Sequence, residues 1–401
     1  MTTPTKAPAD AQARFTATHR ELSDALKVVA LGIAPRPTVP VLGGVMAETR
    51  DGVLTLRGFD YETSVSVRVD GEAGDDGLSL LHFHGLRDVL AASVAGEKAA
   101  VAAATRITVD GTVLSTDDFT VPLDTLKPAE YPAFPPDAPA QVTVDGAEWF
   151  RQVARVLPAT GTDLTLPALT HVHLRIADGV LRLSATDRYR LAVAEVDATG
   201  DGAVTEAMVP SWLLDKVTKL LGKHTGPVTV GVDTGSDWIT FTVGPVTITT
   251  RATADASDFP KVWDIIPTEA TPLSVRADRE ALVRAVRKAT ALSKAKGLSK
   301  GPRVHLKFGP DGITVSPGME DPVEQPKVRG IATAGELLAG RALDGPLIVN
   351  GLFLLDALGT FAGDTLVLHA QTPTKPFLLT DGASVAGDGF RLLHMPIRVT
   401  S

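Results

Sequence analysis

Residues 37–67 read PTVPVLGGVMAETRDGVLTLRGFDYETSVSV, and residues 164–194 read LTLPALTHVHLRIADGVLRLSATDRYRLAVA. The two align without a gap at an offset of 127: Pro40 falls on Pro167, Leu42 on Leu169, Val45 on Val172, Asp51-Gly52 on Asp178-Gly179 and Asp60 on Asp187. The offset persists outside the window, where Thr18 meets Asp145, Glu21 meets Glu148 and Asp88 meets Asp215; Tyr131-Pro132 meets Phe259-Pro260 one residue later. A constant spacing over that length is the mark of a duplicated unit. A third copy is fainter. VHLKFGPDGITVS (304–316) repeats the strand, Asp-Gly and strand pattern, and FLLDAL (353–358) parallels WLLDKV (212–217).

Each unit has the same order. A short strand leads into a helix, with capping-box spacing at Thr18-x-x-Glu21 and Asp145-x-x-Glu148. Two alternating strands follow, joined by Asp-Gly, a strong hairpin signal. More strands, a second helix (near 84–95, 211–222 and 351–361) and closing strands complete the unit. The pattern predicts an α+β protein of three repeated domains, each with two helices laid on antiparallel sheet. Proline-rich joints at 127–141 and 265–272 set the boundaries. The expected domains are 1–137, with a loose polar tail to about residue 13, then 138–268 and 269–401.

Composition agrees. A chain of 401 residues exceeds what one core usually serves, and a third of it is about 134, an ordinary domain size. It is 44% hydrophobic and 21% charged, so it is neither disordered nor fibrous, and only 5% aromatic, so the core is aliphatic. With no cysteine, disulfides, thiolate nucleophiles and cysteine-type zinc sites are excluded. No apolar stretch is long enough to span a bilayer, and a cytoplasmic protein without membrane attachment is expected.

The net charge of −8 argues against nucleic acid only until its distribution is read. From Arg276 to Lys307 there are ten Lys/Arg against two acids. On the helix there, Arg284, Arg287 and Lys288 fall opposite Leu282, Val286 and Ala289. Lys216, Lys219 and Lys223 oppose Leu213, Val217 and Leu220; Arg151 and Arg155 oppose Trp149, Val153 and Val156; Arg20 and Lys27 do the same in the first helix. One such face is ordinary solvation. Basic faces at equivalent positions of successive repeats predict a shared electropositive surface, suited to a phosphate backbone and indifferent to base sequence.

Catalytic signals are missing: no Walker loop, dinucleotide glycine fingerprint, HExxH or GxSxG occurs. His82-x-His84 and His171-x-His173 each set two imidazoles on one side of a strand, either as metal ligands or as ordinary sheet histidines, the latter being the default. Asp60 and Asp187 read as turn residues, because they repeat. The chain is expected to have no active site, metal or cofactor.

Four segments, RPTVPVLGGV (36–45), SATDRYRLAV (184–193), DFPKVWDIIP (258–267) and MPIRV (395–399), resemble the bacterial DNA polymerase III β subunit family, the sliding clamps, in the family's order. The resemblance implies a head-to-tail homodimeric ring around duplex DNA, helices lining the hole, that holds polymerase to its template. It implies a cleft for a short linear peptide from replicative and repair polymerases and the clamp loader. Carried over by position, the cleft would use Leu169, Thr186, Arg188, Tyr189, Arg190, Leu191, Pro260, Ile265, Leu393, Met395, Pro396, Ile397 and Arg398, with Arg190 and Arg398 anchoring polar peptide atoms. The ring interface would pair Phe119 and Val121 with Ala291 and Leu292 of the neighbour. Expected DNA contacts are Arg36, Arg151, Arg155, Lys216, Lys219, Arg284 and Lys288. An alternative implied role is a specialised paralogue, a scaffold in repair or in resistance to a clamp-directed inhibitor.

Overall fold

A computed structural model describes residues 11–398 apart from 201–203, 253, 270, 310–311, 322–324, 326–328, 341–342 and 386–388. The third repeat's Asp311, Val399 of the terminal motif and most of the expected N-terminal tail lie outside the described residues. Order begins before residue 13. The carbonyls of Ala11 and Ala13 accept from Leu78 N and Gly111 N, and Ala13 N donates to Ser79 Oγ at 3.1 Å. The strand Arg14–Thr18 follows directly.

The helices are α1 (His19–Val29), α2 (Phe83–Ser93), α3 (Ala99–Ala104), α4 (Gly146–Val156), α5 (Ser211–Leu221), α6 (Arg279–Ala295) and α7 (Gly351–Gly359). Six sit where the repeat places them. The short α3, AAVAAA, is an addition: alanine has the highest helix propensity, and packing against α1 supports a segment too short to be stable alone. The predicted capping box of α1 forms, with Glu21 N donating to Thr18 Oγ1 and Thr18 N donating to Glu21 Oε2.

Two compact units emerge. The first comprises residues 1–147, 199–201 and 216–252; the second comprises 148–198, 202–215 and 253–401. Each is therefore built from parts of two neighbouring repeats, and the strand pairing explains why. In the first unit an antiparallel run passes through Gly77–His82, Gly44–Arg50, Val53–Phe59, Thr63–Val69, Val246–Arg251, Trp238–Val243, Pro227–Asp233 and Ala140–Asp145. In the second the run is Thr205–Pro210, His171–Ala177, Val180–Thr186, Arg190–Thr199, Phe390–His394, Phe377–Thr380, Thr365–Ala370 and Leu273–Asp278. Member by member the two runs occupy equivalent repeat positions. Each crosses from one repeat to the next through a single antiparallel junction: Thr63–Val69 against Val246–Arg251, and Arg190–Thr199 against Phe390–His394.

Duplication reaches the backbone angles. Asp51 and Asp178 take φ of 51° and 53°, Gly52 and Gly179 take 74° and 72°, and Tyr61 and Arg188 both take 76°. A bulky residue in the left-handed region costs free energy unless the turn demands it. Here Asp60 and Asp187 impose the turn: Asp60 Oδ1 accepts from the amides of Glu62 and Thr63, and Asp187 Oδ1 from those of Tyr189 and Arg190. The turn role expected of both aspartates is what they perform.

Candidate functional site

At the second unit's junction, register sets three leucines side by side. Leu191 pairs with Leu393, and Leu393 pairs with Leu378 on the next strand. All three are buried and pack with Val193, Met208, Phe259, Val262 and Ile266, while Met395, Ala168 and Trp263 lie half-buried at the margin. Above this floor the apolar surface stays open. Ile265 and Tyr189 are each 55% exposed, Leu352 is 36% exposed, and Pro260 is exposed. Isolated apolar side chains at a surface need no explanation; several in one unit beside one apolar cluster make a candidate binding surface.

The rim is held rigidly. Thr186 Oγ1 donates to the Arg190 carbonyl at 2.7 Å and accepts from Arg188 N at 3.1 Å. Buried Arg190 donates through Nε and Nη2 to Asp187 Oδ2 at 3.0 and 2.9 Å and through Nη1 to Asp356 Oδ2 at 2.9 Å. Its guanidinium lies 4.5 Å from the ring centre of Phe353 on α7, and Tyr189 packs on that ring at 5.7 Å. Each of Arg190's nitrogens is thus engaged within the protein. Its fork of charge-assisted bonds ties the Asp187 turn to α7, and the second N–H of each terminal nitrogen remains for the peptide contact expected of it. Met395 N donates to the Tyr189 carbonyl at 2.8 Å and Ile397 N to the Ile348 carbonyl at 2.7 Å, fixing the terminal segment beside the groove. Pro396 and Ile397 are half-buried, Arg398 and Arg188 are exposed, and Leu169 is half-buried with its carbonyl accepting from Gly161 N. Every expected cleft residue lies in this unit. Sequence reading missed Phe353 and Asp356, whose FLLDAL segment reads only as the counterpart of WLLDKV.

Beneath the rim, His394 stacks on Phe377 at 5.2 Å, and burial pushes its pKa down to about 4. His369 is likewise lowered to about 4 by burial, between Ser274 Oγ and Thr380 Oγ1. Both imidazoles are neutral at pH 7.

The two histidine pairs are placed differently. His82 ends its strand and caps α2, its Nδ1 accepting from Gly85 N at 3.2 Å, while His84 lies within that helix, so they do not share a strand face. His171 is bonded to the Pro167 carbonyl through Nδ1, and His173 stacks flat on Phe259 at 4.9 Å. Among the described residues no group of three potential ligands converges.

The basic faces are uneven. Arg36, Arg151, Lys216, Lys219, Arg284, Arg287 and Lys288 are exposed. Arg151 is bridged by both oxygens of Glu148, and Arg284 pairs with Glu280. Arg155 corrects the expectation: it is 5% exposed, donates to Asp381 Oδ2 at 2.7 Å and lies 3.8 Å from the ring centre of Phe390. Its helical spacing put it on the solvent face, yet a partner 226 residues away buries it, so it is unavailable to phosphate. Of the expected interface residues, Phe119 is 37% and Leu292 54% exposed, Ala291 is exposed, and Val121 is half-buried.

Comparison with known proteins adds an independent line. Residues 13–135 match the family model of the DNA polymerase III beta subunit, N-terminal domain, and residues 143–261 that of its central domain. The chain is 30% identical over 390 residues to a beta sliding clamp of Streptomyces coelicolor, covering 94% of this chain and 97% of that one. It is 26% identical to the beta sliding clamp homolog GriR of Streptomyces muensis, covering 96% and 99%. Among solved structures it superposes on a Pseudomonas aeruginosa sliding clamp bound to griselimycin with a TM-score of 0.80 and 21% identity, covering 97% of this chain and 100% of that chain. The DNA polymerase III beta subunit of Thermotoga maritima gives a TM-score of 0.76 at 19% identity, covering 97% and 100%.

Proposed function

Because the chain belongs to the bacterial β sliding clamp family, the β subunit of DNA polymerase III, we propose that two copies close head to tail into a ring around duplex DNA and hold polymerase on its template. The three-domain division, 1–137, 138–268 and 269–401, is part of this reading: two chains supply six domains. Phe119 and Val121 would meet Ala291 and Leu292 of the second copy. A ring held by topology needs only weak, sequence-independent attraction to phosphate, supplied by Arg36, Arg151, Lys216, Lys219, Arg284 and Lys288. The chain acts as a tether and catalyses no reaction. It works in the cytoplasm, at the nucleoid; among the described residues no helix is long and apolar enough to cross a membrane.

The observation that carries the reading is the leucine-floored groove with its open rim. Leu169, Thr186, Arg188, Tyr189, Arg190, Leu191, Pro260, Ile265, Leu393, Met395, Pro396, Ile397 and Arg398 would accept a short linear peptide from replicative and repair polymerases and from the clamp loader. An apolar floor with adaptable methionine at its margin suits several related peptides. Processive synthesis by a cognate polymerase on primed circular DNA, with and without the chain and its loader, tests the reading. Long products only when it is present are expected; equal product lengths would refute it. Light scattering at micromolar concentration is expected to give twice the 42.0 kDa chain mass.

A further inference from the structure

A second cavity of about 610 Å³ lies behind the segment that carries Pro260. Its walls come from one face of the sheet and from residues 256–264, all within the second unit. Register sets a row of charges across four strands of that face: Glu206 opposite Arg175, Arg175 opposite Arg182, and Arg182 opposite Glu195. Each glutamate pairs with its adjacent arginine, Glu206 with Nη1 of Arg175 and Glu195 with Nε of Arg182. The two central guanidiniums are left as direct cross-strand neighbours, an arrangement that like charge disfavours. Both line the cavity, each with nitrogens to spare, and exposed Lys261, which makes no ion pair among the described residues, lines it from the opposite wall.

The cavity also contains an unspent polar atom. His173 lines it, is 93% buried by its 7% relative exposure, and its Nε2 makes no hydrogen bond; Glu206 Oε2 stands 3.5 Å away. Aromatic surface lies around it: His173 stacks on Phe259, and Trp263 is bonded through Nε1 to Ser184 while Arg182 lies 5.1 Å from its ring centre. Two like-charged guanidiniums with nitrogens to spare, faced by Lys261, gain from an oxyanion, even with Glu206 and Asp264 also in the lining.

We propose that this cavity binds a carboxylate of the partner peptide: the peptide that fills the leucine-floored groove passes over Pro260, which borders both, and sets an acidic side chain between Arg175, Arg182 and Lys261. The inference rests on the groove reading above. It assigns the groove a preference among partners, for peptides with an acidic residue just outside the apolar segment.

Fluorescence polarisation on the full chain tests it. A labelled clamp-binding peptide is made with Glu-Glu or Gln-Gln appended at either end. The expected result is about five- to tenfold tighter binding for one of the glutamate-extended peptides than for its glutamine twin, decreasing with salt. Arg182→Gln should remove most of that gain, and Lys261→Gln about half, both leaving the glutamine-extended affinity unchanged. Lys261 is exposed and unpaired among the described residues, so its variant stays informative if Arg182→Gln perturbs the fold. Equal affinities for glutamate and glutamine peptides at both ends would overturn the proposal while the groove stands. A gain that survives both substitutions would also overturn it, as would inorganic phosphate binding here with no gain from glutamate. Failure of every peptide to bind would instead refute the groove.

Discussion

The two junctions share one backbone plan and have opposite chemistry. Where the second unit places Leu191, Leu393 and Leu378 in register, the first places Ser64, Thr249 and Thr240. There the two threonine hydroxyls are satisfied internally. Thr249 Oγ1 donates to Asp137 Oδ1 at 2.7 Å and lies 3.0 Å from Thr240 Oγ1, which accepts from Ala138 N at 2.8 Å. One strand position along, Thr63 and Thr250 bond to each other at 3.1 Å where the second unit has Arg190 and His394. Above that row the first unit is filled by its own aromatics. The Tyr131 hydroxyl accepts from Phe59 N at 2.7 Å and donates to the Phe59 carbonyl at 3.2 Å, and Phe134 packs 5.4 Å from it beneath Arg57. Burial pushes the Tyr131 phenol up to about 12. The equivalent Phe259 and Val262 leave Ile265 and Pro260 open. Duplication thus produced two junctions, one packed with hydroxyls and aromatics, one lined by leucines beside exposed apolar side chains.

The largest effect should come from removing the first unit's plug. Tyr131→Ala deletes a buried ring and two hydrogen bonds and is expected to cost about 3–5 kcal/mol in denaturant unfolding, with peptide affinity unchanged. Next is the pH response of the second junction. The His394 pKa is lowered from 6.5 to about 4, so the unfolded chain takes up the proton first. Stability is full above pH 6.5, declines as pH falls through the window from 6.5 to about 4, and loses on the order of 3 kcal/mol to this group. His394→Gln should remove about half of that slope from the urea-midpoint profile, because His369, also lowered to about 4, titrates over the same window.

Leu393→Thr imports the first unit's residue into the leucine row. It should cost about 2–3 kcal/mol of stability and more than tenfold in peptide affinity, because it sets an unpaired hydroxyl in an apolar floor. Unchanged affinity would separate the leucine row from binding. The smallest expected effect is Thr249→Val, which removes the donor from Asp137 and should cost about 1–2 kcal/mol without opening a second peptide site.

Much of this was legible in the sequence. The Asp-Gly hairpins, the Asp60 and Asp187 turns and the six paired helices follow from local patterns that a duplicated chain states twice. The resemblance to a family supplied the cleft residues that are proposed here. What escaped depends on register between distant strands: nothing local says that Thr240, Thr249 and Ser64 form one row, or that Arg175 and Arg182 become neighbours. Arg155 was misread for the same reason, since its partner Asp381 and cover Phe390 come from another repeat. His82 was misread because helix capping begins at the strand's last residue.

The central claim is that each chain offers one peptide site, at the leucine row and not at the hydroxyl row. Titration of the full chain with a clamp-binding peptide, followed by calorimetry, tests it directly. One peptide per chain is predicted, with binding abolished by Leu191→Ala combined with Met395→Ala and intact in Tyr131→Phe; two peptides per chain, or undiminished binding in the double variant, would contradict it.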